Sequence, residues 1–164
     1  MDVQSALKHQ YHAALKALRL AIEQCPDTLW NSPESWCAPF WRVAYHTLFF
    51  THFYLQQDRK NFKPWDKHHR WIESLDNAAA AARKPGGPYT REEILEYWRI
   101  CDGMIDAGVE ALDLSAKQCG FPWYKMPTLE HQMVNIRHIQ HHAAVLAARL
   151  RSSGGTAIDW VGRA

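Results

Sequence analysis

Apolar residues recur at intervals of three and four in several separate stretches of the chain, the spacing of one face of an α-helix. The first stretch runs from about residue 3 to residue 24, and its apolar stripe consists of Leu7, Tyr11, Leu15, Leu18 and Ile22. Pro26-Asp27 follows it, and proline cannot continue a helix. No stretch shows the period-two alternation of a half-buried strand, so the pattern predicts an all-α protein.

The second predicted helix begins at Pro39, whose missing N–H costs nothing in a first turn, and reaches about Gln57. It is aromatic on most sides, with Phe40, Trp41, Tyr45, Phe49, Phe50, Phe53 and Tyr54. A helix that is apolar nearly all round is expected to be buried on several sides. His46 lies in its middle, and a buried imidazole needs a partner, either a metal ion or a carbonyl or carboxylate group.

Two further helices are predicted in the second half of the chain. Thr90-Arg91-Glu92-Glu93 has the form of a capping box, and the helix that it starts is expected to run to about Ala116. The last helix is expected to run from Thr128, as its N-cap, to about Arg151. Gly103 and Gly108 either weaken the third helix or mark close contacts with a neighbouring helix.

Residues 58–89 connect the second and third predicted helices. A connection of this length without structure is unusual in a compact domain, so short helical pieces are expected within it. His68 and His69 lie in this connection and are expected to be solvated rather than ligating. Four long helices with such a crossover predict a four-helix bundle of one domain, residues 1–151, followed by a C-terminal tail, residues 152–164. Trp160 of the tail is a candidate for docking onto the bundle.

Composition excludes several classes of function. The 164 residues carry a net charge of +2 with no block rich in lysine and arginine, so neither nucleic acid nor a membrane surface is an expected partner. No apolar run approaches the roughly 18 residues of a membrane span. The four cysteines, Cys25, Cys37, Cys101 and Cys119, form no C-x-x-C pair and follow no secretory signal. We therefore expect reduced thiols and a cytoplasmic protein, with a Cys25–Cys37 disulfide as the less favoured alternative.

Ten histidines are unusual in a chain of this length, and they are the candidate chemistry. His138 and His142 are four residues apart in the last predicted helix, so both lie on one face and can reach one metal ion. Two ligands do not complete a metal site, and His46 is the candidate for the third. The sequence thus predicts a metal site of His46, His138 and His142.

Neighbouring histidines leave one alternative open. His141 lies three residues from His138, so a His138–His141 pair is also geometrically feasible, although the spacing of four aligns better on one face. His131 and Asn135 precede His138 roughly in line with its face and are candidates for supporting the ligands through hydrogen bonds.

Several metal-dependent or hydrolytic classes lack their motifs here. The H-E-x-x-H motif of metalloproteases is absent, because Ile139 stands where its glutamate would be. The paired Glu-x-x-His repeats of di-iron carboxylate bundles are missing, and no strand–turn–helix is present for a serine nucleophile. No carboxylate base is evident beside the three histidines in the sequence.

The segment Arg137-His138-Ile139-Gln140-His141-His142-Ala143-Ala144, with Tyr45-His46-Thr47-Leu48-Phe49 upstream, resembles the DinB/YfiT-like superfamily. The resemblance covers most of the chain in helix order, including the long crossover. It implies a four-helix bundle whose ligands fall on His46, His138 and His142, and a divalent metal such as zinc or nickel. One departure is Val145, where relatives often carry a glutamine, so a polar contact of the family is missing.

The resemblance also implies what the metal does. Some members of the superfamily transfer low-molecular-weight thiols or isomerise substrates with a thiol cofactor, so a metal-dependent thiol S-transferase acting on a small molecule is the first hypothesis. A metal-dependent hydrolase is a second. The rival is a non-catalytic bundle that holds a structural metal or binds a ligand in a pocket lined by Trp41, Tyr45 and Phe49. The sequence leaves open whether the chain is an enzyme and whether it forms a homodimer.

Overall fold

The computed structural model describes residues 2–33, 37–76, 86–155 and 157–164. This part of the chain contains α-helices and one short 3₁₀-helix and no strand, as the sequence pattern predicts. The α-helices are α1 (Val3–Gln24), α2 (Asp27–Trp30), α3 (Phe40–Tyr54), α4 (Arg91–Gly103), α5 (Ile105–Ala111) and α6 (Thr128–Ser152), and the 3₁₀-helix is Arg59–Asn61. No helix of the described residues combines the length and the apolarity needed to cross a bilayer.

The long helices pack side by side in a definite order. α1 packs along α6 and also against α4 and α5, whereas α3 packs against α6 and α4. α1 and α3 make only a small contact with each other. α6 therefore lies between α1 and α3, and its inner face meets the aromatic helix that carries His46.

A buried polar tie joins the same three helices. Gln132 of α6 is fully buried, and its side-chain oxygen accepts a hydrogen bond from the Tyr11 hydroxyl at 2.6 Å. Its amide nitrogen donates to the main-chain oxygen of Tyr54 at 3.0 Å. Because both ends of this amide are satisfied, α1, α6 and the end of α3 are fixed in one relative position.

Helix ends follow local chemistry in some places and tertiary contacts in others. The capping box at Thr90 is confirmed: its hydroxyl accepts from the Glu93 amide, and the Glu93 carboxylate accepts from the Thr90 amide. Thr128 is the first residue of α6 rather than its cap, because Pro127 occupies the N-cap position without a side-chain hydrogen bond. α3 ends at Tyr54, before the expected Gln57.

The third predicted helix is in fact two helices. The chain turns at Met104, so α4 ends at Gly103, and α5 stops at Ala111 rather than near Ala116. Beyond α5, the Asp113 carboxylate accepts hydrogen bonds from the amide and hydroxyl of Ser115, a local turn that competes with a further helical turn. Gly108 marks a close helix contact, since a Cβ there would collide with the Leu55 side chain.

The described residues of the long connection and of the tail include a short helix and contacts with the bundle. The 3₁₀-helix Arg59–Asn61 is one of the short helical pieces expected in the connection, while the alanine run at 78–82 lies outside the described residues. Ile158 of the tail packs against the core, and the Gly162 carbonyl accepts from the Gln10 amide. Trp160 does not dock by burial, because it is 81% exposed. All four cysteines are free thiols, so no Cys25–Cys37 disulfide forms.

Candidate metal centre

Packing of α3 on α6 brings three histidines together. His46 comes from the middle of α3, and His138 and His142 come from successive turns of α6. One ring nitrogen of each lies within 4.8 Å of the other two. The ring centroids are 5.0 Å apart for His46–His138, 4.7 Å for His46–His142 and 4.5 Å for His138–His142. This arrangement can hold a metal ion.

His46 has a defined partner at each ring nitrogen. Its Nδ1 lies 2.6 Å from the main-chain oxygen of Glu73, which can only accept, so Nδ1 carries the proton. Its Nε2 therefore presents a lone pair, and it lies 3.0 Å from Nε2 of His138. Ligand nitrogens bound to one zinc ion at about 2.0–2.1 Å are themselves roughly 3 Å apart. The sequence left a carbonyl and a metal ion as alternative partners for His46. In the structure Nδ1 meets a carbonyl, and Nε2 lies in the group of histidines that could hold a metal.

The three imidazoles are held in the neutral form that binds metals. The pKa of His46 is lowered to about 4, mainly by burial, with the hydrogen bond to the Glu73 carbonyl opposing the shift and the positive charge of Arg42 adding to it. Burial lowers the pKa of His138 to about 3 and that of His142 to about 2, and repulsion among the neighbouring imidazoles acts in the same direction. At pH 7 all three rings are therefore uncharged, and no proton has to be removed before a metal binds.

His141 lies outside this group. Its ring is exposed and stands edge-on to His142 with centroids 4.9 Å apart. The geometry thus gathers His138 with His142 and not with His141. The assignment of His46, His138 and His142 as ligands remains a prediction about metal binding, for which the converging nitrogens supply the geometry.

The residues expected to support the ligands have other contacts. His131 is fully buried among the rings of Tyr54, Phe121 and Tyr124, at centroid distances of 4.9, 4.8 and 5.0 Å. Asn135 donates its amide to the main-chain oxygen of Thr51 at 3.3 Å. His131 shares the face of His138 but lies two turns away, about 10 Å along the helix axis, so it belongs to a different cluster.

The connection before α4 supplies partners that the sequence did not indicate. Glu73 gives its main-chain oxygen to His46, and its carboxylate oxygen Oε2 is buried 4.0 Å from Nε2 of His68. His68 is not solvated as expected: Nδ1 lies 2.6 Å from the Tyr45 hydroxyl, and the ring stacks on Phe49 with centroids 5.1 Å apart. Nothing local in the sequence indicates the hydrogen bonds of Tyr45 and His46 with this connection, which join positions 23 and 27 residues apart.

Arg42 is a second feature that sequence reasoning missed. It is buried and lies one turn before His46 in α3, a spacing of four that was available in the sequence. Burial lowers the pKa of its guanidinium, whereas the negative charges of Asp76 and Glu73 raise it. The His46 side of the site is therefore bordered by a buried cation and two carboxylates.

The pocket suggested for Trp41, Tyr45 and Phe49 is filled. Tyr45 is fully buried, with its ring stacked on that of Tyr89 at 4.8 Å, and Trp41 and Phe49 are buried in the same core. These rings face the connection and α4 instead of an open cavity, because residues far away in sequence cover them. In the part of the chain that the structure describes, they support the aromatic interior beside the histidines.

Fold and site together define the class: an all-α protein in which three half-buried histidines from two packed helices can hold a metal ion. Comparison of the chain with models of known protein families, with curated proteins and with solved structures found no match.

Proposed function

We propose that this protein is a metal-dependent enzyme in which His46, His138 and His142 bind one divalent cation, with zinc or nickel as the first candidates. The observation that carries this proposal is the convergence of three ring nitrogens within 4.8 Å of one another. Their low pKa values support it, because neutral imidazoles are ready ligands. The helix order and the motif around His138 support a four-helix bundle of the DinB/YfiT-like type with a crossover between α3 and α4.

Three neutral ligands determine the chemistry that such a site would perform. They leave the full positive charge of the cation available to polarise a fourth ligand. A cation held by these residues would supply Lewis-acid chemistry, favouring the deprotonated, nucleophilic form of a thiol or water near neutral pH. In thiol transfer the thiolate sulfur forms a bond to an electrophilic carbon of a small molecule while the leaving group departs with its electron pair. The resemblance favours thiol transfer over hydrolysis, and the four free cysteines agree with a reducing, cytoplasmic location.

Metal analysis of the natively purified protein, followed by activity assays, tests this function. We expect close to one equivalent of a divalent metal per chain, and conjugation of a low-molecular-weight thiol to a chloro-aromatic or epoxide substrate that requires the metal. Loss of activity on chelation and its return with zinc or nickel would support the enzyme. A metal-loaded protein that conjugates no thiol and hydrolyses no ester would instead favour the non-catalytic binding protein. Purified protein that neither contains nor takes up a divalent metal would overturn the proposal.

A further inference from the structure

The connection between α3 and α4 contacts two consecutive residues of α3. His68 meets the Tyr45 hydroxyl at 2.6 Å through Nδ1. Glu73, five residues later, meets His46 Nδ1 at 2.6 Å through its main-chain oxygen. The side chains of His68 and Glu73 also approach each other, with Nε2 and Oε2 4.0 Å apart. Because Tyr45 and His46 are neighbours in the chain, these contacts form a closed ring. The ring consists of Tyr45, His68, Glu73 and the proposed metal ligand His46.

The protons in this ring can be assigned from the donors and acceptors. A tyrosine phenol carries its proton at neutral pH, and the Tyr45 oxygen lies 2.6 Å from Nδ1 of His68, so the O–H donates to that nitrogen. A neutral His68 then carries its own proton on Nε2, the nitrogen that faces the Glu73 carboxylate. That carboxylate oxygen is buried and has no hydrogen bond among the described residues, so the facing N–H is its favourable neighbour.

We propose that His68 is a positioning residue for the metal site: by linking Tyr45 to Glu73 it holds the Glu73 carbonyl against His46 Nδ1 and so directs His46 Nε2 at the cation. This inference rests on the proposed function, because it requires that the three histidines bind a metal. Groups that hold the second nitrogen of a ligating histidine fix both its tautomer and its ring orientation, and losing them typically costs roughly 10- to 100-fold in metal affinity. His68 does not touch the proposed ligand His46 itself; it would act on it through Glu73, whose carbonyl accepts from His46 Nδ1.

His69 offers a matched control in the next position. It is exposed, and its ring stacks on Tyr89 with centroids 5.5 Å apart, outside the ring of contacts around His46. A general effect of removing an imidazole from this connection would appear in both variants. A positioning role would appear only in variants of His68.

Cobalt(II) titration of the metal-free protein, followed by its visible d–d absorption, tests the proposal. His68→Leu should weaken cobalt binding about 10-fold and change the absorption band, because His46 is no longer held in one orientation. His68→Asn should have an intermediate affinity, since its amide oxygen can take the place of Nδ1 as acceptor for Tyr45 but nothing in it replaces Nε2 beside the Glu73 carboxylate. His69→Ala should bind cobalt like the unaltered protein.

Tyr45→Phe removes one oxygen from the same ring of contacts. It should weaken cobalt binding, as His68→Leu does. The double variant should bind cobalt no more weakly than the weaker-binding single variant, because both changes break the same linkage. If the melting curve of His68→Leu shows that this variant does not fold, Tyr45→Phe alone tests the positioning role. Unchanged affinity and spectrum in Tyr45→Phe or in a folded His68→Leu would overturn the positioning role. If the unaltered protein binds no cobalt, the proposed function itself fails, which is a separate result.

Discussion

At the scale of single residues, His46 illustrates how one ring serves both the fold and the site. Its Nδ1 donates to the carbonyl of Glu73 in the connection between α3 and α4. Its Nε2 points to the cluster with His138 and His142. A histidine with one nitrogen fixed by a carbonyl has one defined tautomer, and only its other nitrogen can bind a metal. The sequence places His46 in a buried helix, but the direction of its ring depends on a residue 27 positions later.

The neighbouring histidines of α6 give the first prediction. His142→Ala should weaken metal binding by roughly 100-fold or more, because it removes a direct ligand rather than a supporting group. His141→Ala should leave the metal content nearly unchanged, because that ring is exposed and lies outside the converging group. Metal analysis of both purified variants, with circular dichroism to show that each is folded, makes the comparison. Equal losses in the two folded variants would contradict the ligand assignment.

His131 gives a prediction about pH. Both of its ring nitrogens are buried without a hydrogen bond among the described residues, and burial lowers its pKa to about 4. The unfolded chain takes up this proton below about pH 6.5, whereas the folded protein does so only below about pH 4. The unfolded state therefore binds more protons in this window, so the free energy of unfolding falls as the pH drops from 6.5 to 4, by at most about 3 kcal/mol from this group.

His131→Phe should flatten that dependence. Phenylalanine suits the ring cluster of Tyr54, Phe121 and Tyr124, and it has no nitrogen to leave unsatisfied. Urea unfolding of both proteins between pH 4 and pH 7 measures the difference, with the metal removed from both so that the triad contributes equally. Parallel pH profiles would show that His131 is not protonated selectively in the unfolded state.

At the scale of elements, ends and turns decide where the helices stop. Gly120 lies in the loop before α6 with φ of 80°, in the left-handed region that favours glycine. A Cβ at this position would also collide with the main-chain oxygen of Gln57 and with Asp58. The loop between α5 and α6 can therefore approach the end of α3 only because residue 120 has no side chain.

Gly120→Ala should be destabilising by about 1–3 kcal/mol, from backbone strain and from the collision together. Gly103→Ala is the matched control, since Gly103 lies at the end of α4 with nothing within 4 Å of an added Cβ. That control should be neutral or stabilising by up to about 1 kcal/mol, because alanine is the better helix former. Thermal unfolding measures both, and a Gly120→Ala variant as stable as the original chain would show that the loop can adjust.

At the scale of the whole molecule, the core is large enough to fold without a metal. Buried apolar side chains from α1, α3, α4, α5 and α6 form one continuous cluster, and the polar tie at Gln132 fixes three helices. A chain of this length with such a core does not depend on a metal for its hydrophobic burial. The histidine cluster is thus an addition to a fold that is already stabilised elsewhere.

Chelation tests this view. We expect the metal-free protein to keep its helical circular dichroism and its cooperative unfolding, with a modest fall in melting temperature. A ligand present at 100 times its dissociation constant contributes only about 3 kcal/mol. Any thiol-transfer activity should disappear with the metal and return when it is restored. A chelated protein that loses its helical signal at room temperature would make the metal a structural one.

Parts of this picture could be predicted from the sequence because they depend on local patterns. The apolar stripes predict the helices, and the spacing of His138 and His142 places both on one face of α6. The capping box at Thr90 is likewise a contact between near neighbours, and the structure contains it. The spacing of apolar residues does not show where other elements contact a helix. The turn at Met104 and the early ends of α3 and α5 could therefore not be predicted.

The sequence by itself determined the helices and the faces that their side chains share, because bonds and contacts within a few residues control both. Only the tertiary structure decided that His46 meets His138 and His142, since this depends on how α3 packs on α6. It also decided that His68 and Glu73 lie against α3 while His131 is enclosed by other rings. The contacts of α3 with α6 and with the connection join residues more than twenty positions apart, and their energies appear only once the helices are packed.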